Sequence, residues 1–277
     1  MKRLLWLFGL LALAACMPGG EEAEVPAPSP TATPAILEQV YVNTPLETEA
    51  PLPVPTEKPT EEPTATPHPY RSQTVTEHPD SDAFWYGTVT ETLKERIVGM
   101  SFPLDADDCP VSMEELRYLR ILHVDFSGNI CEGELLVHEQ VAAEVLDIFY
   151  QLYEASYPLT SVLLVDTFEE PFSDNRSMEA DNTSAFCCRR VTGSRTFSRH
   201  SYGLAIDINP VENPYIRPDG SFAPPNSEPY LDRENKRSGM IDEEDLCYRL
   251  FTAYGWSWGG HFKGEKDYQH FSKELDG

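Results

Sequence analysis

The chain has 277 residues, 24 of them proline, and a formal net charge of −25 from 46 acidic and 21 basic side chains. That length allows one or two domains, and the proline content indicates that part of the chain is not packed. So acidic a protein excludes nucleic acid and anionic membrane surfaces as attractive partners, because both would repel it.

Lys2 and Arg3 precede an apolar run from Leu4 to Ala15, which closes in L-A-A-C at Leu13 to Cys16. Such a run is an export signal, too short to span a bilayer as a mature helix. Its ending resembles a bacterial lipobox. The resemblance implies a signal peptide over 1–16, a lipid on Cys16 that anchors the protein in the membrane, and an exported lipoprotein facing the cell wall. Residues 17–80 hold 14 of the 24 prolines and 11 acidic residues against Lys58 and Arg71. A segment of this composition buries too little apolar surface to offset the entropy of ordering it, so a disordered tether is expected. It would span roughly 40–50 Å as a coil and up to about 200 Å as polyproline II. From residue 81 the composition becomes that of a folded domain, 81–277, with a charge of −18 and enough chain for one well-buried core.

Leu119 to Phe126 predicts a strand, Ser127-Gly128-Asn129 a turn and Ile130 to Val137 the pairing strand. Val141, Val145, Ile148, Phe149 and Leu152 recur at helical spacing, Tyr157-Pro158 stops that pattern, and a second apolar strand is expected over Ser161 to Thr167. Further on, Asp242 is the expected N-cap of a helix whose apolar face is Leu246, Leu250, Phe251 and Tyr254, with Gly255 as its stop. Irregular alternation of helices with hairpin-like pairs points to an α+β domain: a small antiparallel sheet with flanking helices.

Beyond Cys16 there are five cysteines, an odd number, so at least one is free or pairs between chains. Cys109 with Cys131 is the expected disulfide, since a bond between the adjacent Cys187 and Cys188 would be strained. These two thiols are also rival metal ligands, but no second C-x-x-C or histidine stands at ligand spacing.

Two stretches carry the chemistry. In S-R-H-S-Y-G-L-A-I-D-I-N-P, Ser198 to Pro210, Leu204, Ile206 and Ile208 alternate with Ala205, Asp207 and Asn209, so a strand would turn Asp207 away from the aliphatic face. His200 lies just upstream, and Gly203 permits a tight path between the two. The answering stretch, Gly255 to Phe271, ends in D-Y-Q-H-F and supplies Asp267 and His270. Two imidazoles, one carboxylate and an open fourth position form the pattern of a catalytic zinc. His261 is a competing ligand or a turn residue, Ser198 and Tyr202 brace the site, and Trp256 and Trp258 belong to the core or a groove wall. His123 and His138 read as structural.

The string S-x-H-x-x-G-x-A-x-D, followed by W-G-G and D-x-x-H-F, resembles the D-alanyl-D-alanine carboxypeptidase and L-alanyl-D-glutamate endopeptidase family of zinc peptidases, which shares its core with hedgehog-type domains. The likeness extends from about Cys109 to Phe271 and includes D-N-T-S-A-F-C-C-R at Asp181 to Arg189. It implies Zn2+ held by His200, Asp207 and His270, Asp267 as the catalytic carboxylate, and Arg189, with Arg190 as the alternative, on the substrate oxygen. It further implies that the protein is monomeric and cleaves peptidoglycan stem peptides, as an endopeptidase or a carboxypeptidase. The alternative is a binding module that keeps the fold without turnover.

Overall fold

The computed structural model describes residues 68–168, 174–191 and 193–275. The expected signal segment with Cys16, and the expected tether up to residue 67, lie outside them. Regular structure is present before residue 81. β1 (Val75–His78) pairs antiparallel with β2 (Ser81–Thr88), and the rings of His68 and Tyr70 pack on Trp85 and Tyr118. A four-residue strand bearing Thr76 and Glu77 has no apolar periodicity to announce it; pairing with β2 holds it.

After α1 (Glu91–Ile97), capped by the Thr90 hydroxyl, come β3 (Leu116–Val124) and β4 (Ile130–His138). Together β1 to β4 form one antiparallel meander. Asp125 fixes the β3–β4 turn by accepting from the backbone N–H groups of Ser127 and Asn129, both at 2.8 Å, as an Asx turn does. Both faces of this sheet are covered. Leu119, Ile121, Leu135 and Val137 face α2 (Ala142–Glu154) through Val145, Ile148, Phe149 and Leu152, while Leu116, Tyr118 and Leu136 meet Leu93, Ile97, Phe102 and Phe186. Each such side chain contributes about 1.5–3 kcal/mol on burial.

The expected second strand shrinks to β5 (Ser161–Val162). Asn182 is the reason: its side chain accepts from the Leu163 N–H and donates to the Leu163 carbonyl, both at 2.9 Å, taking the place of ladder bonds. Beyond α3 (Asp174–Glu179), β6 (Asn182–Thr183) runs parallel to β5. The remaining elements are β7 (Ala205–Asp207), β8 (Tyr215–Ile216), β9 (Phe222–Ala223), α4 (Leu246–Ala253), β10 (Ser257–Trp258), β11 (Lys266–Asp267) and β12 (His270–Ser272). They build two antiparallel three-stranded sheets, β10-β12-β7 and β11-β8-β9. The architecture is thus the mixed α and β arrangement with small antiparallel sheets that the sequence predicts. α4 starts one turn later than expected. Asp245, not Asp242, is its N-cap, accepting from Cys247 N–H at 2.8 Å; Asp242 caps a separate turn through Glu244 N–H at 2.9 Å. No helix among the described residues is long and apolar enough to cross a membrane.

The expected Cys109–Cys131 bond is not formed. Both cysteines are free; the Cys131 sulfur lies 3.9 Å from the Asn129 carbonyl at its own hairpin turn, while Cys109 meets Ser201 and Cys188. His123 and His138 are buried in the meander, as a structural role requires.

Behind β7 lies a second buried polar group. Asp181 takes the Thr160 hydroxyl and the Val211 N–H, and its charge is felt at the neighbouring Glu212, whose buried Oε2 has no hydrogen-bond partner among the described residues. Burial, then the Asp181 charge, push the Glu212 carboxyl up to about 8 from its ordinary 4.5. A carboxyl with a raised folded-state pKa stabilises the fold at low pH, and that stability is lost as pH climbs from about 4.5 through about 8. Glu212→Gln, which cannot ionise, should flatten this decline. Thermal denaturation at pH 5 and at pH 8.5 checks it: the wild type should lose more of its Tm between the two than the variant does, and equal losses would show that the pair is not coupled to folding.

Candidate metal centre

Register in the β7–β12 pair brings the first two groups together. Asp207 stands directly opposite His270, while the next pair along, Ile206 and Phe271, turns to the other side and is fully buried in the core. Alternation therefore commits the polar pair to one face and the apolar pair to the other. His270 Nδ1 lies 3.0 Å from Asp207 Oδ1.

His200 arrives from a 3-10 turn, Arg199–Tyr202, whose N-cap is Ser198 with its hydroxyl accepting from His200 N–H at 3.4 Å. The turn ends on Gly203 at φ 66°, where a side chain would meet the His138 backbone nitrogen at 2.5 Å. Only glycine suits both the left-handed backbone and that approach. His200 Nε2 then sits 3.2 Å from Asp207 Oδ2 and 3.3 Å from His270 Nδ1. Its other nitrogen, Nδ1–H, donates to the Ala185 carbonyl at 2.5 Å, which leaves the Nε2 lone pair for the site.

These three residues could hold a metal ion: one ligand atom from each lies within 4.8 Å of the others. Donors about 2.0–2.2 Å from a tetrahedral zinc stand about 3.3 Å apart; the two imidazole nitrogens are separated by 3.3 Å, and a different Asp207 oxygen faces each of them, at 3.0 and 3.2 Å. Electrostatics agree. Burial opposes the charge on Asp207, but the two imidazoles outweigh it and hold the carboxyl well below the usual carboxylate range. Burial likewise depresses His200, and Asp207 more than reverses this, raising its pKa. Each group thus awaits a cation, whether a proton or a metal.

Asp267 lies beside the cluster on β11. Gly259 makes the approach possible, since a Cβ there would stand 2.5 Å from the Asp267 carbonyl oxygen and 3.2 Å from His270 Cβ. Burial, together with the charge of Asp207, pushes the Asp267 carboxyl up to about 7, and Oδ1 is buried without a hydrogen-bond partner among the described residues. An unsatisfied buried oxygen of this kind is costly and suits a functional role.

Arg189 is close enough for its charge to be felt at His200. Asp174 of α3 forms an ion pair with it, and its buried Nε has no partner among the described residues. Its main chain is pinned by Ser201: Arg189 N–H donates to Ser201 Oγ at 2.8 Å, and that hydroxyl lies 2.6 Å from the Arg189 carbonyl. Arg190 turns away and lies 4.1 Å over the Phe197 ring. His261 is outside the cluster, 3.0 Å from Glu243 on the surface. Trp256 and Trp258 are buried, bonded to Glu144 and to the Tyr268 carbonyl. Tyr202 packs under the Arg199 guanidinium. Sequence reasoning missed Asp174, Ser201, Ala185 and Gly259, whose parts are visible only once distant segments meet.

The family model described as D-alanyl-D-alanine carboxypeptidase matches residues 192–273. His200, Asp207, Asp267 and His270 fall inside the match, whereas Arg189, its partner Asp174 on α3 and the whole β1–β4 meander precede it. No curated protein and no solved structure matches the chain. Over residues 192–273 the chain is thus similar to the family described as D-alanyl-D-alanine carboxypeptidase, and the His200, Asp207 and His270 cluster, which could hold a metal ion, lies within that match.

Proposed function

We propose that the protein is a zinc-dependent peptidase that hydrolyses peptide bonds in peptidoglycan stem peptides, tethered to the membrane through a lipid on Cys16 and facing the cell wall. The observation that carries this reading is the convergence of His200, Asp207 and His270 beside a second carboxylate, Asp267, whose buried Oδ1 has no hydrogen-bond partner among the described residues. A zinc ion held by the three would supply Lewis acidity to the scissile carbonyl and lower the pKa of a bound water to about 7.

The chain's own residues do the rest. Asp207 is buried and Asp267 is half-buried with its Oδ1 out of water, and their surroundings push them apart: one is held ionised, the other is drawn up to about 7. The first is therefore suited to bind a cation and the second to exchange a proton. With a cation opposite, Asp267 ionises more readily still, so at neutral pH it can take a proton from the attacking water and return it to the leaving amine. Arg189, fixed by Asp174 and Ser201, offers its unused donors to the oxygen on which charge develops or to a substrate carboxylate.

His270→Ala should abolish both metal binding and turnover. Asp267→Asn should keep the metal while turnover falls by about 10²-fold or more, and Arg189→Ala should keep the metal with a loss of about 10²–10³-fold. Metal analysis beside a stem-peptide cleavage assay checks all three. Zinc lost with Asp267→Asn but kept with His200→Ala would reverse the roles of ligand and base.

Mass spectrometry of muropeptides digested with the purified protein, with and without chelator, tests the substrate. Loss of terminal D-alanine identifies a carboxypeptidase, a cut within the stem an endopeptidase, and binding without any product the non-catalytic module. For the anchor, Cys16→Ser should release the protein from the membrane fraction or leave its signal uncleaved. A variant that stays processed and membrane-bound would overturn the lipid on Cys16.

A further inference from the structure

Five cysteines lie in the described residues, and their surroundings sort them. Cys187 and Cys247 are buried, and burial pushes both thiols up, which makes them unreactive. Cys131 sits near the start of β4, its sulfur against the Asn129 carbonyl. Cys109 and Cys188 are different. Although far apart in sequence, they are neighbours, both half-buried and both packed on the cluster around Phe102 and Phe186. The Cys188 sulfur lies 3.8 Å from the carbonyl of Asp108, the residue before Cys109, and the Cys109 sulfur lies 3.7 Å from the Ser201 carbonyl. The two thiols are close enough for each to shift the other's titration.

We propose that Cys109 and Cys188 are a redox-active pair that closes to an intramolecular disulfide, taking as co-reactant a small or protein disulfide. The neighbouring Cys188, against the opposing effect of burial, lowers the Cys109 pKa, which favours the thiolate that attacks. Cys109 is also reachable, because it lines an open surface cleft with Lys94, Phe102, Leu104, Asp107 and Met113. The Cys109 thiolate attacks one sulfur of the co-reactant, forming a mixed disulfide and releasing the first thiolate. Cys188, losing its proton, then attacks the Cys109 sulfur and releases the second. Two protein thiols are oxidised, one external disulfide is reduced to two thiols, and the protons pass to the leaving thiolates.

The bond would have a definite mechanical effect. Cys188 directly precedes Arg189, and Cys109 touches Ser201, the residue that pins the Arg189 main chain and follows His200. Closing the pair would staple the 105–111 segment onto the stretch of chain that carries Arg189, which limits its freedom without changing any ligand of the metal centre. The inference is independent of the proposed peptidase activity, since its readout is covalent.

The test is to incubate the reduced full chain with oxidised glutathione, block remaining thiols with an alkylating agent and map tryptic peptides without reduction. The expected product joins the peptide containing Cys109 to the peptide containing Cys188, with fragment ions placing the link on Cys188 and with Cys131 alkylated. Cys188→Ser should stop the reaction at a stable glutathione adduct on Cys109. Both thiols alkylated after oxidation, separate glutathione adducts on each in the wild type, or a link from Cys109 to Cys131 or Cys187 would overturn the proposal.

Discussion

The candidate site depends on the register of one short strand pair. β7 and β12 contribute three residues each, and their pairing sets Asp207 opposite His270 and Ile206 opposite Phe271. A slip of one residue would send the two polar groups into the core and bring Phe271 to the site, so the apolar pair enforces the polar one. Phe271 stacks on Phe251 of α4 at 4.4 Å between ring centroids, so the helix that follows the long loop after β9 also locks the register. Burial on one face thereby fixes ligand geometry on the other.

Around this pair the protein accumulates polar groups that a stable core would avoid. Asp207 and His200 are removed from water, as is one carboxylate oxygen of the half-buried Asp267, and removing charge from water costs several kcal/mol per ion unless it is compensated. Asp207 is compensated twice over by imidazoles; Asp267 Oδ1 has no such compensation among the described residues. The contrast sets the two carboxylates apart, one answered on both sides and the other with an oxygen left unanswered among the described residues. Neighbouring contacts sharpen it, since Ala185 fixes the His200 tautomer and Gly259 lets Asp267 and His270 approach.

Arg189 shows how a cation enters such a site without neutralising it. Its charge is balanced by Asp174, on a separate helix, so Asp207 remains free for its own partners. Ser201 joins the arginine segment to the histidine turn through a single hydroxyl. The matched region 192–273 contains His200, Asp207 and His270, whereas Arg189 and Asp174 come from the chain before it.

How much of this was legible in the sequence follows from the range of each interaction. The β3–β4 hairpin, α2 and the Gly255 stop were readable because periodicity, turn residues and caps act over a few positions. His200, Asp207 and His270 were readable as a set because their spacing and neighbouring glycines resemble a known pattern. The strand β1, the shortened β5, the N-cap of α4 and the neighbour of Cys109 were not. Each was decided by a contact beyond the reach of local pattern, such as β1 held by β2, Leu163 held by the Asn182 side chain, and Cys109 placed beside Cys188. The sequence alone determined which groups could bind a metal and where helices and hairpins form. Tertiary structure decided which of them meet, because the distances and burial that tune Asp207, Asp267 and Arg189 exist only when segments remote in sequence pack together.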